Sequence, residues 1–289
     1  LHREAAKAGL TAIPLPPLDG RWPFLTGLRQ REAMRKVSAF QPDIILPYTW
    51  PANVCSVLHA HAFKGPVFWN QRDAGLLRGS RRRERRALAA ATRFLANSPS
   101  SLDHLVDLGI PRQRITLLPN LVQERGAGPG ATTPFLDDLP PERSLVVMVA
   151  NFTPSKDPVA AIHAWHRVLR DWDAAHPRPL LVLAGRADNG WQTCANLIQD
   201  LGLAGDIRYL GEVDHAADLF RAATVALHLS RSEGCPNAIL EAMAAGCPVV
   251  ASDLPGCRFA LGEGAHLVPG NDPAICATML GSLLRSTDR

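Results

Sequence analysis

The stretch Ser230-Arg-Ser-Glu233-Gly-Cys-Pro236-Asn237-Ala-Ile-Leu-Glu241-Ala-Met-Ala-Ala-Gly246-Cys-Pro248-Val-Val250 decides how this chain is read. Just before it, Thr224-Val-Ala-Leu-His-Leu229 is a short apolar run, the mark of a buried strand. Pro236 and Asn237 open a helix, because proline presets φ and a short polar side chain suits a helix start. Gly246 and Pro248 close it, and Pro248-Val-Val250 begins the next strand. Strand, tight loop, short helix and strand make one repeat of a parallel α/β sheet.

Between Gly234 and Ser252 the only charged residue is Glu241, in a helix otherwise made of Ala, Ile, Leu and Met. A helix apolar on all sides is expected to be buried, and a carboxylate there is costly unless something hydrogen-bonds it. A ligand with two hydroxyl donors, such as a ribose diol, satisfies both oxygens. A core arginine or a backbone cap does the same without any ligand. Eight residues earlier, Glu233 sits on the loop beside a helix N-terminus whose free N–H groups suit a phosphate or a sugar.

Glu233-x7-Glu241, with Gly234, Pro236, Asn237 and the tail Glu241-Ala-Met-Ala-Ala-Gly246-Cys-Pro248-Val-Val250, resembles the donor motif of retaining glycosyltransferases of family 4. The resemblance implies the GT-B fold, two Rossmann-like parallel-sheet domains that face a cleft. It implies an acceptor-side domain over 1–122, a linker over 123–143 and a donor-binding domain over 144–289. Relatives begin with a strand and a glycine-rich loop that this chain, opening on Leu1, does not contain, so it reads as N-terminally incomplete.

At 289 residues the chain accommodates two domains of about 120–150 residues. Its 46% hydrophobic and 20% charged residues are ordinary for a soluble enzyme. A net charge of +4 is too mild to point to nucleic acid. No apolar run approaches the ~20 residues of a membrane span, and no signal peptide is visible. Six scattered cysteines without a Cys-x-x-Cys fit a reducing compartment, so a cytoplasmic enzyme is expected.

Read in order, Leu1–Leu10 looks like a helix end and Thr11–Leu15 a strand. Helices are expected over 28–40 and 51–63, and strands over Pro42–Pro47 and Pro66–Trp69. The latter leads to Arg72 and Asp73, at the strand end where α/β sheets hold ligands. Many relatives place a sugar-contacting histidine nearby; this sequence has Arg72-Asp73, so that role does not carry over. Arg81-Arg-Arg-Glu-Arg-Arg86 is the strongest charge run, suited to a solvated helix face or to anionic lipid headgroups. Arg93–Ser98 and Ile115–Asn120 read as strands around a helix over Ser100–Gly109. The Gly- and Pro-rich residues 123–143 have linker composition.

The second half opens with a strand, Leu145–Val149, and a helix from Pro158 to about Ala174. Strands follow at Leu180–Arg186, Ile207–Val213 and His266–Gly270, and helices at Asp214–Ala223 and Leu280–Arg285. Lys156 stands just before a helix, where an ammonium reaches a diphosphate as a point charge. The resembled family uses a lysine there together with an arginine five residues earlier; that place is Asn151 here. Relatives hold the nucleotide base near the segment containing Gly211 and Val213. A glutamate common in the family falls at Phe259.

Asp171-Trp-Asp173 matches a metal motif of another glycosyltransferase fold, but residues at i,i+2 of a helix do not share a face. His59-Ala-His61 fails as a metal pair for the same reason, and no metal or cofactor is expected. The resemblance implies transfer of a sugar from a nucleoside-diphosphate sugar to an acceptor hydroxyl, with retention and without a metal. Glu233 and Lys156 are then the catalytic pair. Glu241, Gly234, Cys235, Pro236, Asn237, Ala238, Asn151, Gly211 and Val213 line the donor, and Arg72 and Asp73 lie on the acceptor side. The acceptor is a saccharide or a lipid-linked saccharide, with peripheral contact to the inner membrane face through Arg81–Arg86. The rival readings are a sugar-nucleotide epimerase on the same fold and a truncated or non-catalytic nucleotide-sugar-binding module.

Overall fold

The computed structural model describes residues 11, 15, 23–75, 81–122, 143–214 and 216–286. The helix expected over Leu1–Leu10, most of the strand over Thr11–Leu15, and the expected linker up to residue 142 lie outside them. Among the described residues two compact units form. One holds those up to Asn97 with Ser101–Leu118, and the other holds Ser98–Ser100 with the residues from Pro119 onward. The division therefore falls between Leu118 and Pro119, where the sequence reading ran the first domain to 122.

In the first unit, helices α1 (Pro23–Ser38) and α2 (Trp50–Leu58) precede strand β1 (Phe68–Gln71). Helix α3 (Arg81–Ala90), strand β2 (Arg93–Ala96), helix α4 (Pro99–Asp107) and strand β3 (Ile115–Leu117) follow. The strands run parallel in the order β1-β2-β3. Trp69, Phe94, Leu102 and Leu105 are buried in its core. Two expectations need correction. The strand expected over Pro42–Pro47 reduces to a single bridge, Ile45 to Val67; a proline at each end removes ladder donors. The helix expected over 51–63 stops at Leu58, and a separate 3-10 turn covers Ala60–Ala62. There His59 Nδ1 lies 2.8 Å from the Cys55 carbonyl oxygen, competing with the helix ladder.

The second unit alternates strand and helix: β4 (Leu145–Val149), α5 (Pro158–Arg170), β5 (Leu180–Ala184), α6 (Trp191–Asp200), β6 (Ile207–Tyr209) and α7 (Ala216–Ala222). Then come β7 (Val225–His228), α8 (Asn237–Ala244), β8 (Val249–Ser252), α9 (Pro255–Leu261), β9 (His266–Val268) and α10 (Pro273–Arg285). The last helix is longer than the expected Leu280–Arg285, because Asp272 caps it: its carboxylate accepts from the N–H groups of Ala274 and Ile275. All six strands are parallel, in the order β6-β5-β4-β7-β8-β9.

Strand periodicity divides the core between the two faces. Val146, Met148, Leu181 and Leu183 pack with Trp165, Cys194 and Leu280 of α5, α6 and α10. Leu145, Val147, Leu180 and Val182 pack with Phe220, Ile239 and Cys257 of α7, α8 and α9. Burying one such large side chain contributes about 1.5–3 kcal/mol. Helices on both faces and a chain that winds outward in both directions from β4 make a doubly wound sheet. Its direction reverses between β4 and β7. No described helix is long and apolar enough to cross a membrane.

Candidate active site

A doubly wound sheet offers a crevice at the carboxyl ends of the strands where its winding reverses. Here that point lies between the loops that follow β4 and β7. The first loop makes a 3-10 turn, Pro154–Lys156, and then places Asp157 at φ 41°, ψ 48° before Pro158 starts α5. That left-handed conformation is tolerable for Asp. The second loop carries Glu233 and ends at Pro236, the residue before α8.

The two loops are stitched together. Ser155 lends its carbonyl oxygen to the Arg231 N–H at 2.8 Å and to the Ser230 hydroxyl at 2.9 Å. The Arg231 guanidinium meets both oxygens of Asp157 at 3.2 Å. Asn271, itself at φ 55°, donates to Asp157 Oδ2 at 2.9 Å and to the Ser230 carbonyl at 3.0 Å. It accepts from the Ser252 hydroxyl at 2.5 Å. Ser252 in turn accepts from the Ser230 N–H at 2.7 Å. Asp157, Ser230, Ser252 and Asn271 are buried, and Ser155 and Arg231 close the network from its exposed side; satisfied buried networks rigidify what they join.

Lys156 Nζ lies 2.6 Å from Glu233 Oε1, and His228 Nε2 lies 2.9 Å from the same oxygen. Burial of Glu233 works against ionisation, but the His228 hydrogen bond and the charges of His228 and Lys156 outweigh it and lower its carboxyl to about 2. Glu233 is therefore a carboxylate throughout the neutral range. Cys257, behind it, has its thiol pushed up to about 12, first by burial and then by the Glu233 charge. That rules it out as a nucleophile near neutral pH. The loop is also pressed from outside: a Cβ on Gly256 would stand 2.2 Å from the Gly234 carbonyl oxygen.

Of the residues singled out in the sequence, Lys156 and Glu233 are brought together. Gly234, Cys235 and Pro236 are buried on the same loop, and Ala238 is half-buried on α8. Asn237 does not cap α8. Its Oδ1 accepts from Asn120 Nδ2 at 2.7 Å, and that nitrogen also donates to the Cys235 carbonyl at 2.7 Å. Glu241 needs a correction. The helix was read as buried on all sides, but only Ile239 and Ala242 face the core. Met243 is 44% exposed and Glu241 half-buried, since a short helix on a sheet is covered on one side only.

Asn151 follows β4 and Gly211 follows β6, the two strands that flank β5. Asn151 Oδ1 accepts from the Arg186 N–H at 3.4 Å, and the Gly211 carbonyl from the Gly185 N–H at 2.7 Å. Val213 is half-buried against the core of the second unit. Arg72 and Asp73 belong to the first unit. Arg72 lies over the Tyr48 ring at 4.7 Å, and Asp73 accepts from the Gly75 N–H at 2.6 Å. Asp171 is held by Arg170 at the end of α5.

Sequence reasoning missed His228, Asp157 and Asn271. His228 was visible as the one polar residue in an apolar run, five positions before Glu233. Asp157 and Asn271 carry no such signal, because their partners lie 114 positions apart.

The family model described as glycosyl transferases group 1 matches residues 143–286, and that of glycosyltransferase family 4 matches residues 2–124. The D-inositol 3-phosphate glycosyltransferase of Nocardia farcinica is 31% identical over 217 residues, 71% of this chain and 48% of that protein. D-inositol 3-phosphate glycosyltransferase 2 of Catenulispora acidiphila is 26% identical over 92% of this chain and 67% of its own length. The chain spans about half the length of the first of these relatives. Among solved structures, Anabaena HepE in complex with UDP and glucose superposes with a TM-score of 0.80 at 18% identity, covering 99% of this chain and 79% of HepE. Sucrose-phosphate synthase from Thermosynechococcus elongatus gives 0.76 at 23% identity, over 95% of this chain and 71% of its own.

Proposed function

The chain belongs to the group 1 glycosyltransferases of family 4, with the GT-B fold, and on that premise we propose that it transfers a sugar from a nucleoside-diphosphate sugar to an acceptor hydroxyl, with retention and without a metal. What carries the reading is the meeting of Lys156 and Glu233 at the carboxyl ends of adjacent parallel strands. A fixed cation beside a fixed carboxylate fits a ligand that is anionic at one end and hydroxylated at the other.

In this reading Lys156 and the backbone N–H groups of Cys235, Asn237 and Ala238 meet the diphosphate and stabilise the charge it gains on leaving. Preorganised donors of this kind lower a barrier because they need no reorganisation when charge develops. Glu233 accepts from a hydroxyl of the transferred sugar, and Glu241 from the ribose hydroxyls. Gly211, Val213 and Asn151 border the base side. Arg72 and Asp73 serve the acceptor. Glu241, being half-buried, reaches a ribose from the rim of the site.

The test is calorimetric titration with UDP, GDP and ADP in the presence of a chelator, on the unmodified chain and on Glu241→Ala. Micromolar binding of one diphosphate, lost in the variant, supports the donor site and identifies its base. No binding by any of the three sinks the reading. Inositol 3-phosphate, the acceptor in the names of the relatives above, is the first acceptor to assay, followed by saccharides and lipid-linked saccharides.

The same proposal places the protein against the inner membrane face. Arg82, Arg83, Arg85 and Arg86 are exposed on α3, while Glu84 turns inward and accepts from the Trp50 indole N–H at 3.0 Å. A helix with its carboxylate withdrawn presents only cations, each contributing about 1 kcal/mol at an anionic surface. Replacing Arg81, Arg82, Arg83, Arg85 and Arg86 by Ser is expected to abolish binding to anionic liposomes; unchanged binding removes the idea.

A further inference from the structure

His228 is the last residue of β7, and its side chain is 5% exposed. Its Nε2 faces Glu233 Oε1, while Nδ1 is buried with no hydrogen-bond partner among the described residues. That asymmetry selects a tautomer. A proton on Nδ1 is a buried donor without an acceptor, which protein interiors avoid. In its neutral form the ring therefore carries its proton on Nε2 and donates it to Glu233. Nδ1 offers no competing bond, so nothing rewards turning the ring away.

Both donors to Glu233 converge on one oxygen. Oε2 has no hydrogen-bond partner among the described residues and is not sealed from solvent. The two donors differ in freedom: the Lys156 side chain is 30% exposed and that of His228 only 5%. An arriving diphosphate competes for the lysine, whose ammonium on a flexible stem can turn to it. The histidine cannot follow.

We propose that His228 is a positioning residue that clamps Glu233 through Oε1, so that Oε2 alone is presented to a hydroxyl of the donor sugar when Lys156 engages the diphosphate. This deepens the donor reading above and rests on it. His228 itself touches no substrate. It fixes the direction in which a carboxylate with two equivalent oxygens is offered, and it keeps that carboxylate paired after the lysine has left.

The experiment compares the full chain with His228→Leu and His228→Gln by calorimetric titration against UDP and UDP-glucose, with GDP and ADP and their glucose esters as further arms. The titration of the Glu233 carboxyl is followed in parallel by NMR. Removing a donor to a charged group is expected to weaken the sugar nucleotide about tenfold or more. Affinity for the bare diphosphate, which has no sugar, stays within about twofold. His228→Gln, whose amide still donates, restores most of the difference, and Glu233 titrates higher in His228→Leu. Should His228→Leu fail to fold, His228→Gln against His228→Asn makes the same comparison, since the shorter amide falls short of Oε1. Equal loss of both ligands, an unchanged ratio, or an unmoved Glu233 titration overturns the proposal. No diphosphate bound by the unmodified chain overturns the donor reading and the role of Oε2 with it; the Glu233 titration then still decides whether His228 governs that carboxylate.

Discussion

The Lys156 ammonium and Glu233 Oε1 stand 2.6 Å apart, on loops that leave adjacent parallel strands of one sheet. The pair is unequal, because the Glu233 side chain is 8% exposed and that of Lys156 30%. Each residue holds the other.

That inequality predicts which half of the pair the fold misses more. Lys156→Met leaves a nearly buried carboxylate with His228 as its remaining partner. Glu233→Gln leaves a cation that solvent can reach. An unpaired buried charge costs far more than an exposed one, so Lys156→Met is expected to lose about 1–3 kcal/mol and Glu233→Gln less. Urea denaturation of the two variants checks the order, and the reverse order contradicts it.

Acid should reveal the same carboxylate. The folded-state value of Glu233 lies at about 2, below the ordinary 4.5, with His228 and Lys156 as the cations that face it. A depressed acid contributes stability that is fully present above the unfolded value and is lost as pH falls through the folded one. The window therefore runs from 4.5 down to about 2. Glu233→Gln is expected to flatten the stability curve across that window. An undiminished acid slope in the variant would mean that Glu233 is not held by these cations.

The parallel sheet of the second unit was legible because its strands are continuous apolar runs bounded by Gly and Pro, such as Leu145–Val149 and Leu180–Ala184. Lys156 and Glu233 were legible by position, each on a loop between a strand and a helix. Their contact was not, since it joins residues 77 positions apart. The burial of Glu241 was misread because an all-apolar helix and a helix half-covered by a sheet share one composition. Only the packing partners distinguish them.

Gly256 opens a third line. It is the second residue of α9, and a Cβ there would meet the carbonyl oxygens of Gly234 at 2.2 Å and of Glu233 at 2.6 Å. Both contacts are backbone, so no side chain can swing aside. Gly256→Ala must displace either the helix or the Glu233 loop, and overpacking of this kind costs about 1–3 kcal/mol. Displacement of the loop would also move the Glu233 carboxyl titration toward its ordinary value. A variant that is stable and titrates like the unmodified chain would show that the helix yields instead.

The buried network behind the lysine gives a test whose sign depends on pH. Asn271 Nδ2 donates to Asp157 Oδ2 at 2.9 Å, and Arg231 is the cation paired with that carboxylate. Asn271→Asp keeps the shape and tolerates the left-handed backbone, but it replaces a donor with a second carboxylate. Both residues are 8% exposed, so two charges at this distance cannot both persist, and one carboxyl must take a proton. Its folded value is then raised above the unfolded one, so the folded state binds more protons and stability falls as pH rises. The variant is expected to trail the unmodified chain by about 2–4 kcal/mol at neutral pH. As pH falls toward about 4, the shared proton restores a donor to Asp157 and the deficit narrows. Urea denaturation at the two pH values measures it, and a deficit that is constant or grows in acid would show that Asn271 and Asp157 do not interact as a hydrogen-bonded pair.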